Sequence, residues 1–231
     1  MPKVRLVAYT PEPDRVVAYA ARLCYSSKPP DVLWEEVADE EKRRKTIRVV
    51  VSRGHHSVLE HAVFTFLVEG CSRVCTHQLV RHRMASYSHR SHRYTPISAE
   101  AFTIPPSVAG NPEAQRLYEE HISRSVELYR KLMDMGIPRE DARFLVPQAV
   151  SSPILVSMNA RELLHFFGLR LCLRAQWEIR QVAALMLNEV RRVAPVIFEN
   201  AGPRCWALGY CPEGDEKCFA RMGGAKVEDR A

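Results

Sequence analysis

From Gly70 to Ala99 the chain carries no aspartate and no glutamate, yet it holds five arginines (Arg73, Arg81, Arg83, Arg90, Arg93) and four histidines (His77, His82, His89, His92). An ordinary solvated surface intersperses both signs of charge. A one-sign run of this density constrains the fold to one that gathers the segment around an anion. Planar guanidinium forks grip phosphate oxygens two at a time. The ligands this admits are phosphate-bearing substrates, cofactors or nucleic acid. The excess is local, because the whole chain has a formal charge of only +6 from 33 basic and 27 acidic residues.

At 231 residues the chain can bury one good core or two small ones. Its 46% hydrophobic and 26% charged residues are those of a soluble globular protein. No apolar run approaches the roughly 18 residues of a membrane helix. The start, Met1-Pro2-Lys3-Val4-Arg5, leads into an apolar segment too short and too charged for a signal peptide. These features predict a cytoplasmic protein with no membrane partner. Seven cysteines in a chain of this size do not suggest a secreted disulfide scaffold.

Periodicity predicts a mixed architecture. Lys3 to Tyr9 and the aromatic, β-branched Ala62 to Val68 read as strands, as does Ser152 to Met158. Helices are expected over Asp14 to Tyr25, Asp31 to Arg53, Ser72 to Arg83, Pro112 to Met135, Pro138 to Arg143, Ala160 to Leu173 and Ala175 to Val193. Gly54 and Gly136 serve as stops. Ser86 to Tyr94 has no helical period and reads as loop or extended chain, and Pro105, Pro106 and Gly110 mark a linker. Within Ser72 to Arg83, Gln78, Arg81 and His82 lie three and four residues apart and so share a face.

Four blocks carry chemistry. Arg81-His82-Arg83, seven residues and then Ser91 form a fixed-spacing pattern, preceded by Gly54-His55-His56-Ser57-Val58-Leu59-Glu60-His61. Gly136 is followed by Glu140-Asp141-Ala142-Arg143 and Pro147. Asn159-Ala160-Arg161-Glu162-Leu163-Leu164-His165-Phe166 precedes Leu169-Arg170 and Ala175-Gln176-Trp177-Glu178-Ile179. Together, in this order over about residues 3 to 200, they resemble the flavin-dependent thymidylate synthases. The resemblance implies an α+β single domain over 1–200, a mixed or antiparallel sheet packed with long helices, and a Cys-rich tail over 201–231. It implies synthesis of dTMP from dUMP, with 5,10-methylenetetrahydrofolate as carbon donor, NADPH as reductant, FAD as hydride carrier and no enzyme nucleophile. It also implies a homotetramer with active sites shared between subunits.

By the same resemblance Arg170 is the catalytic residue. Uracil C5 is a poor nucleophile, and a guanidinium beside the pyrimidine would stabilise the anion left when the N3 proton is lost or polarised. FAD contacts fall on Ser57, Arg81, His82, Arg83, His89, Asn159, Ala160, Arg161 and His165. Substrate contacts fall on Gln78, Leu79, Val80, Arg81, His89, Arg90, Ser91, His92, Arg93, Arg143 and Arg170. A phosphate dianion wants arginine and hydroxyl donors, which favours Arg143, Arg93 and Ser91. Ser91 is assigned to binding rather than attack, since no acid lies nearby in sequence to orient a His-Ser pair. Asn159 equally suits a helix N-cap. FAD is not expected on a Rossmann unit, because no G-x-G-x-x-G fingerprint is present.

Three places depart from the family pattern, one of them the mild apolar swap of Val146 for the usual leucine. Ser88-His89 stands where Asn-Glu is common, and Arg174 stands where a histidine is common. In the tail, Cys205, Cys211 and Cys218 are spaced C-x5-C-x6-C, short of the close pairs and fourth ligand of a tight zinc site. No metal is therefore assigned, and three reduced thiols are the expectation. Cys71 and Cys75 could face the core together, and Cys24 and Cys172 read as small buried residues. A nucleic-acid-binding protein is the alternative reading of the basic run. It leaves the Glu-Asp-Ala-Arg and Asn-Ala-Arg blocks unexplained, so no nucleic-acid partner is predicted.

Overall fold

The computed structural model describes residues 1–98, 101–215 and 217–218. Four strands, β1 (Lys3–Tyr9), β2 (Val63–Glu69), β3 (Ala85–His89) and β4 (Ile154–Asn159), form one antiparallel sheet in the order β1-β2-β4-β3. The alternation in β2 is the reason it sits at the centre. Phe64, Phe66 and Val68 are fully buried, Thr65 and Leu67 between them are half-buried, and Val63 and Glu69 at the ends are exposed. They pair directly with Met158, Val156 and Ile154 of β4, so one face of the sheet is continuous core. On the other face the hydroxyls of Thr65 and Ser157 meet at 2.8 Å.

Helices cover the apolar face. α1 (Pro13–Tyr25), α8 (Ala160–Arg170) and α9 (Trp177–Val193) contribute Val17, Phe166, Phe167, Val182 and Met186, all with zero exposure. Asp14, buried in the first turn of α1, accepts the backbone N–H groups of Val196 and Ile197 at 3.0 and 3.1 Å, which ties the segment after α9 to α1. Burial pushes its carboxyl up, against those two bonds. α6 (Pro112–Asp134) stands apart and closes a smaller core of Ile97, Tyr129, Ala142 and Val150.

The long helix expected over Asp31 to Arg53 is two helices, α2 (Pro30–Glu36) and α3 (Glu40–Ser52). Asp39 breaks it by capping the second, its carboxylate accepting Lys42 N–H at 2.9 Å. The expected Ser72 to Arg83 helix ends early, as α4 (Arg73–Leu79). There Tyr87 Oη, reaching back from β3, lies 2.8 Å from the carbonyls of both Leu79 and His82. The Ser86 to Tyr94 segment supplies β3, and the 105–110 linker holds the short α5 (Pro106–Ala109). A 3₁₀ turn over His56–His61 was not anticipated. α7 (Arg139–Ala142) lies inside the stretch expected from Pro138 to Arg143.

Cys71 and Cys75 are buried as expected, but Cys24 is exposed and Cys172 only half-buried. Much of the 201–231 tail lies outside the described residues. The described part contains α10 (Arg204–Leu208), whose Cys205 is buried. Burial raises that thiol, as do the neighbouring Cys211, Cys172 and Cys218. Among the described residues, only Cys71, Cys75 and Glu178 have ligand atoms all within 4.8 Å of one another. There the Glu178 carboxylate is already engaged, accepting Ser72 N–H at 2.8 Å and Ser72 Oγ–H at 2.5 Å.

Candidate active site

α4, the turn after it, β3 and α8 bring the basic run and the Asn-Ala-Arg block together. Ser72 caps α4 by accepting Cys75 N–H. Asn159 caps α8 by accepting Glu162 N–H at 2.9 Å, so the cap reading of Asn159 holds. At the other end of α8, Arg170 Nε donates to His82 Nε2 at 3.0 Å and its Nη2 donates to the Gln78 carbonyl at 3.2 Å. His82 is 4% exposed, and its Nδ1 lies 3.0 Å from Glu162 Oε1. A guanidinium N–H can only donate, so His82 Nε2 must accept and Nδ1 must carry the proton given to Glu162. Burial holds the His82 imidazole below its ordinary value, with Glu162 opposing and Arg170 reinforcing.

A cleft of about 290 Å³ opens between α4 and the segment after α7, lined by Arg73, His77, His92, Arg143, Phe144 and Gln148 among others. Among the described residues no acidic side chain lines it. Arg73 Nη1 lies 3.1 Å from His89 Nδ1, and His89 Nε2 lies 2.7 Å from Ser152 Oγ. Burial and then Arg73 hold both His89 and His92 down to about 4. At neutral pH both rings are uncharged and add nothing to the positive potential of the arginines.

The sign of the resulting pH dependence is determined. Above about 6.5, the ordinary histidine value, these two rings are neutral in both folded and unfolded chains. Between there and about 4, the unfolded chain takes up protons that the folded one refuses. Stability therefore falls as pH drops through that window. In urea titrations the double variant His89→Gln/His92→Gln flattens this slope. An unchanged slope would show that these rings are not its source.

The predicted residues fall into distinct environments. Arg81, Arg83 and Arg90 are exposed and, among the described residues, make no ion pair. Two others have found partners from afar: Arg93 binds Glu140 at 2.7 Å, and Arg161 binds Glu60 at 2.5 Å. Ser57 and His165 are exposed, and Val80 is 41% exposed. Ser91 Oγ accepts Arg93 N–H in a local turn, and no catalytic dyad forms around it. Leu79 and Ala160 are fully buried core residues, so their backbone atoms, rather than their side chains, are what they offer a ligand. His82 is likewise an interior residue with both ring nitrogens engaged by protein. Arg161, Glu162 and His165 do not share one environment: Glu162 is buried, while the other two are exposed. Sequence reasoning did not single out Glu162, which the structure sets against His82, or Arg73 and His77, which it sets on the cleft wall. The last two lie in the acid-free run itself, which was the signal for them.

An exposed pair such as Arg81 and Arg83, unmatched by carboxylates among the described residues, fits the pyrophosphate of a dinucleotide, and Ser57, Asn159 and His165 add further hydrogen-bonding side chains. The antiparallel sheet, the basic cleft and the oriented guanidinium suit an anionic, nucleotide-sized ligand held without a Rossmann unit. The family model of the thymidylate synthase complementing protein matches residues 5–196. The flavin-dependent thymidylate synthase of Geobacter sulfurreducens is 49% identical over 94% of this chain and 93% of that relative. That of Thermococcus onnurineus is 48% identical over 92% and 90%. The crystal structure of a UMP/dUMP methylase, PolB from Streptomyces cacaoi bound with 5-Br dUMP, superposes with a TM-score of 0.75 at 29% identity, covering 86% of this chain and 93% of that one. This chain belongs to the flavin-dependent thymidylate synthase family.

Proposed function

We propose that this chain makes dTMP from dUMP by reductive methylation, taking its carbon from 5,10-methylenetetrahydrofolate and its reducing power from NADPH. The observation that carries the reading is Arg170, half-buried, held at Nε and Nη2, and without a carboxylate partner among the described residues. FAD, when bound, supplies the hydride that completes the methyl group. Ser57, Arg81, Arg83, His89, Asn159, Arg161 and His165 would hold it. Arg143, with Gln78, Ser91, His92 and Arg93, binds the nucleotide, and Arg90 adds positive charge. Arg73 and His77 extend that set from the cleft wall. Arg170 then stabilises the pyrimidine as its N3 proton is lost or polarised, raising electron density at C5.

On this reading the enzyme is a cytoplasmic homotetramer whose domain spans 1–200 and whose sites are shared between subunits. Among the described residues no helix is long and apolar enough to cross a membrane. Phe144, 84% exposed beside Arg143, supports a subunit contact next to the cleft.

The test is release of tritium from [5-³H]dUMP with FAD, NADPH and methylenetetrahydrofolate present. Release with matching dTMP is the expected result, and a fully supplemented reaction with none would overturn the assignment. Arg143→Ala weakens dUMP binding by about 1.5–3 kcal/mol, the worth of a charge-assisted hydrogen bond, or roughly 10- to 150-fold in Kd. Calorimetry reads this directly, and an unchanged Kd removes Arg143 from the nucleotide site.

A further inference from the structure

We propose that Glu162 and His82 are positioning residues for Arg170, linked to it as a carboxylate–imidazole–guanidinium relay. The inference rests on the thymidylate-forming reading and adds to it two side chains that touch neither substrate nor flavin in the proposed mechanism. Its basis is geometry. Glu162 and Arg170 stand at opposite ends of α8, and the His82 ring, delivered by the turn after α4, bridges them with contacts of 3.0 Å on each side. Phe166 packs against the same ring edge-on, with centroids 4.9 Å apart, and fixes its plane.

The relay has an electrostatic purpose that a direct ion pair would not serve. A carboxylate on Arg170 would cancel much of the positive charge just where an anionic pyrimidine needs it. A neutral imidazole accepts one hydrogen bond, sets the orientation of the guanidinium plane and leaves its full charge for the substrate. Glu162 makes this possible by holding the proton on Nδ1, so that Nε2 presents a lone pair. If His82 took up a second proton, its Nε2–H would oppose Arg170 Nε–H and the guanidinium would lose its anchor.

The groups facing the ring are Glu162 and His165 from α8, Arg170 at the end of that helix, and Tyr87 from β3, whose hydroxyl reaches the His82 carbonyl. Cys75 of α4 faces Arg170. Glu162 is the one of these whose charge favours the imidazolium, so its removal makes His82 harder to protonate.

The experiment uses the flavin-loaded enzyme and measures kcat and KM for dUMP from pH 5.5 to 9, with flavin content read by absorbance. His82→Leu is expected to lower kcat about 30- to 100-fold, with KM for dUMP and flavin content within about threefold of the parent, as for loss of a transition-state interaction. His82→Gln, whose side-chain oxygen can accept from Arg170 Nε, recovers at least about tenfold of that loss. Glu162→Gln moves the acid limb of kcat to lower pH. A His82→Leu enzyme with near-parental kcat, a His82→Gln enzyme no better than His82→Leu, or an unmoved acid limb in Glu162→Gln would each overturn the relay. Should His82→Leu not fold, the other two variants decide on the same criteria. Ring ¹⁵N NMR of the parent protein keeps this test separate from the function: the relay demands His82 protonated at Nδ1 whether or not thymidylate forms, and an Nε2–H tautomer ends it.

Discussion

Arg170→Ala leaves the fold and bound flavin in place and abolishes thymidylate formation to within measurement, a loss of at least about 10²–10³ in kcat on the scale of removing one preorganised charge donor. The magnitude follows from the environment of the guanidinium. It is half-buried, and burial lowers its own pKa, so its charge is poorly screened by water. It is also oriented before substrate arrives, by His82 and by the Gln78 carbonyl, so no reorganisation is needed at the moment of reaction. A lysine carries the charge but not the fork, and Arg170→Lys should recover only a minor part of the activity. Tritium release from dUMP and the flavin spectrum, measured on the same preparation, separate chemistry from cofactor binding. Parental turnover in Arg170→Ala would remove the residue from the mechanism.

Phe166→Ala is expected to cost about 3–5 kcal/mol of unfolding free energy, the range for deleting a fully buried aromatic ring. Phe166 has zero exposure, its ring meets Phe167 at 5.7 Å and His82 at 4.9 Å, and it lies in the main core between α8 and the sheet. The cavity cannot collapse easily, because the ring belongs to a continuous, closely packed core. Denaturant titration reads the loss as a lower midpoint at similar slope. A change under 1 kcal/mol would mean that the site relaxes around the missing ring. The same substitution loosens the wall beside His82, so the surviving folded protein should also show a reduced kcat.

Both predictions depend on residues of differing legibility. The strands β1, β2 and β4 could be read from the chain because β1 alternates, β2 is rich in aromatic and β-branched residues and β4 opens on a short apolar run, all of them local properties. The helix expected over Asp31 to Arg53 could not be read correctly, because its periodicity runs on while Asp39 offers the backbone a cap. The end of α4 was hidden for the opposite reason: its carbonyls are taken by Tyr87, and that contact requires β3 to be in the sheet. The orientation of Ser72 toward Glu178 spans 106 residues and left no trace in local pattern.

The site divides in the same way. The acid-free run announced its chemistry through composition alone, since clustered guanidiniums imply an anion wherever the chain places them. Which of them stay free for ligand was decided in space. Arg93 and Arg161 meet Glu140 and Glu60 from distant segments, whereas Arg81, Arg83 and Arg90 have no such partner among the described residues. His82 reads as one more cation in the linear sequence, and it becomes an uncharged bridge only because Glu162, 80 residues later, folds against it.

Amino-acid order by itself determined the charge of the pocket, the alternating strands and the blocks that mark the family, because each depends on residue type and short spacing. Tertiary structure alone decided which charges are cancelled, which histidines are neutral and how Arg170 is aimed. Those properties depend on burial and on hydrogen-bond partners, and both arise only when remote segments pack together.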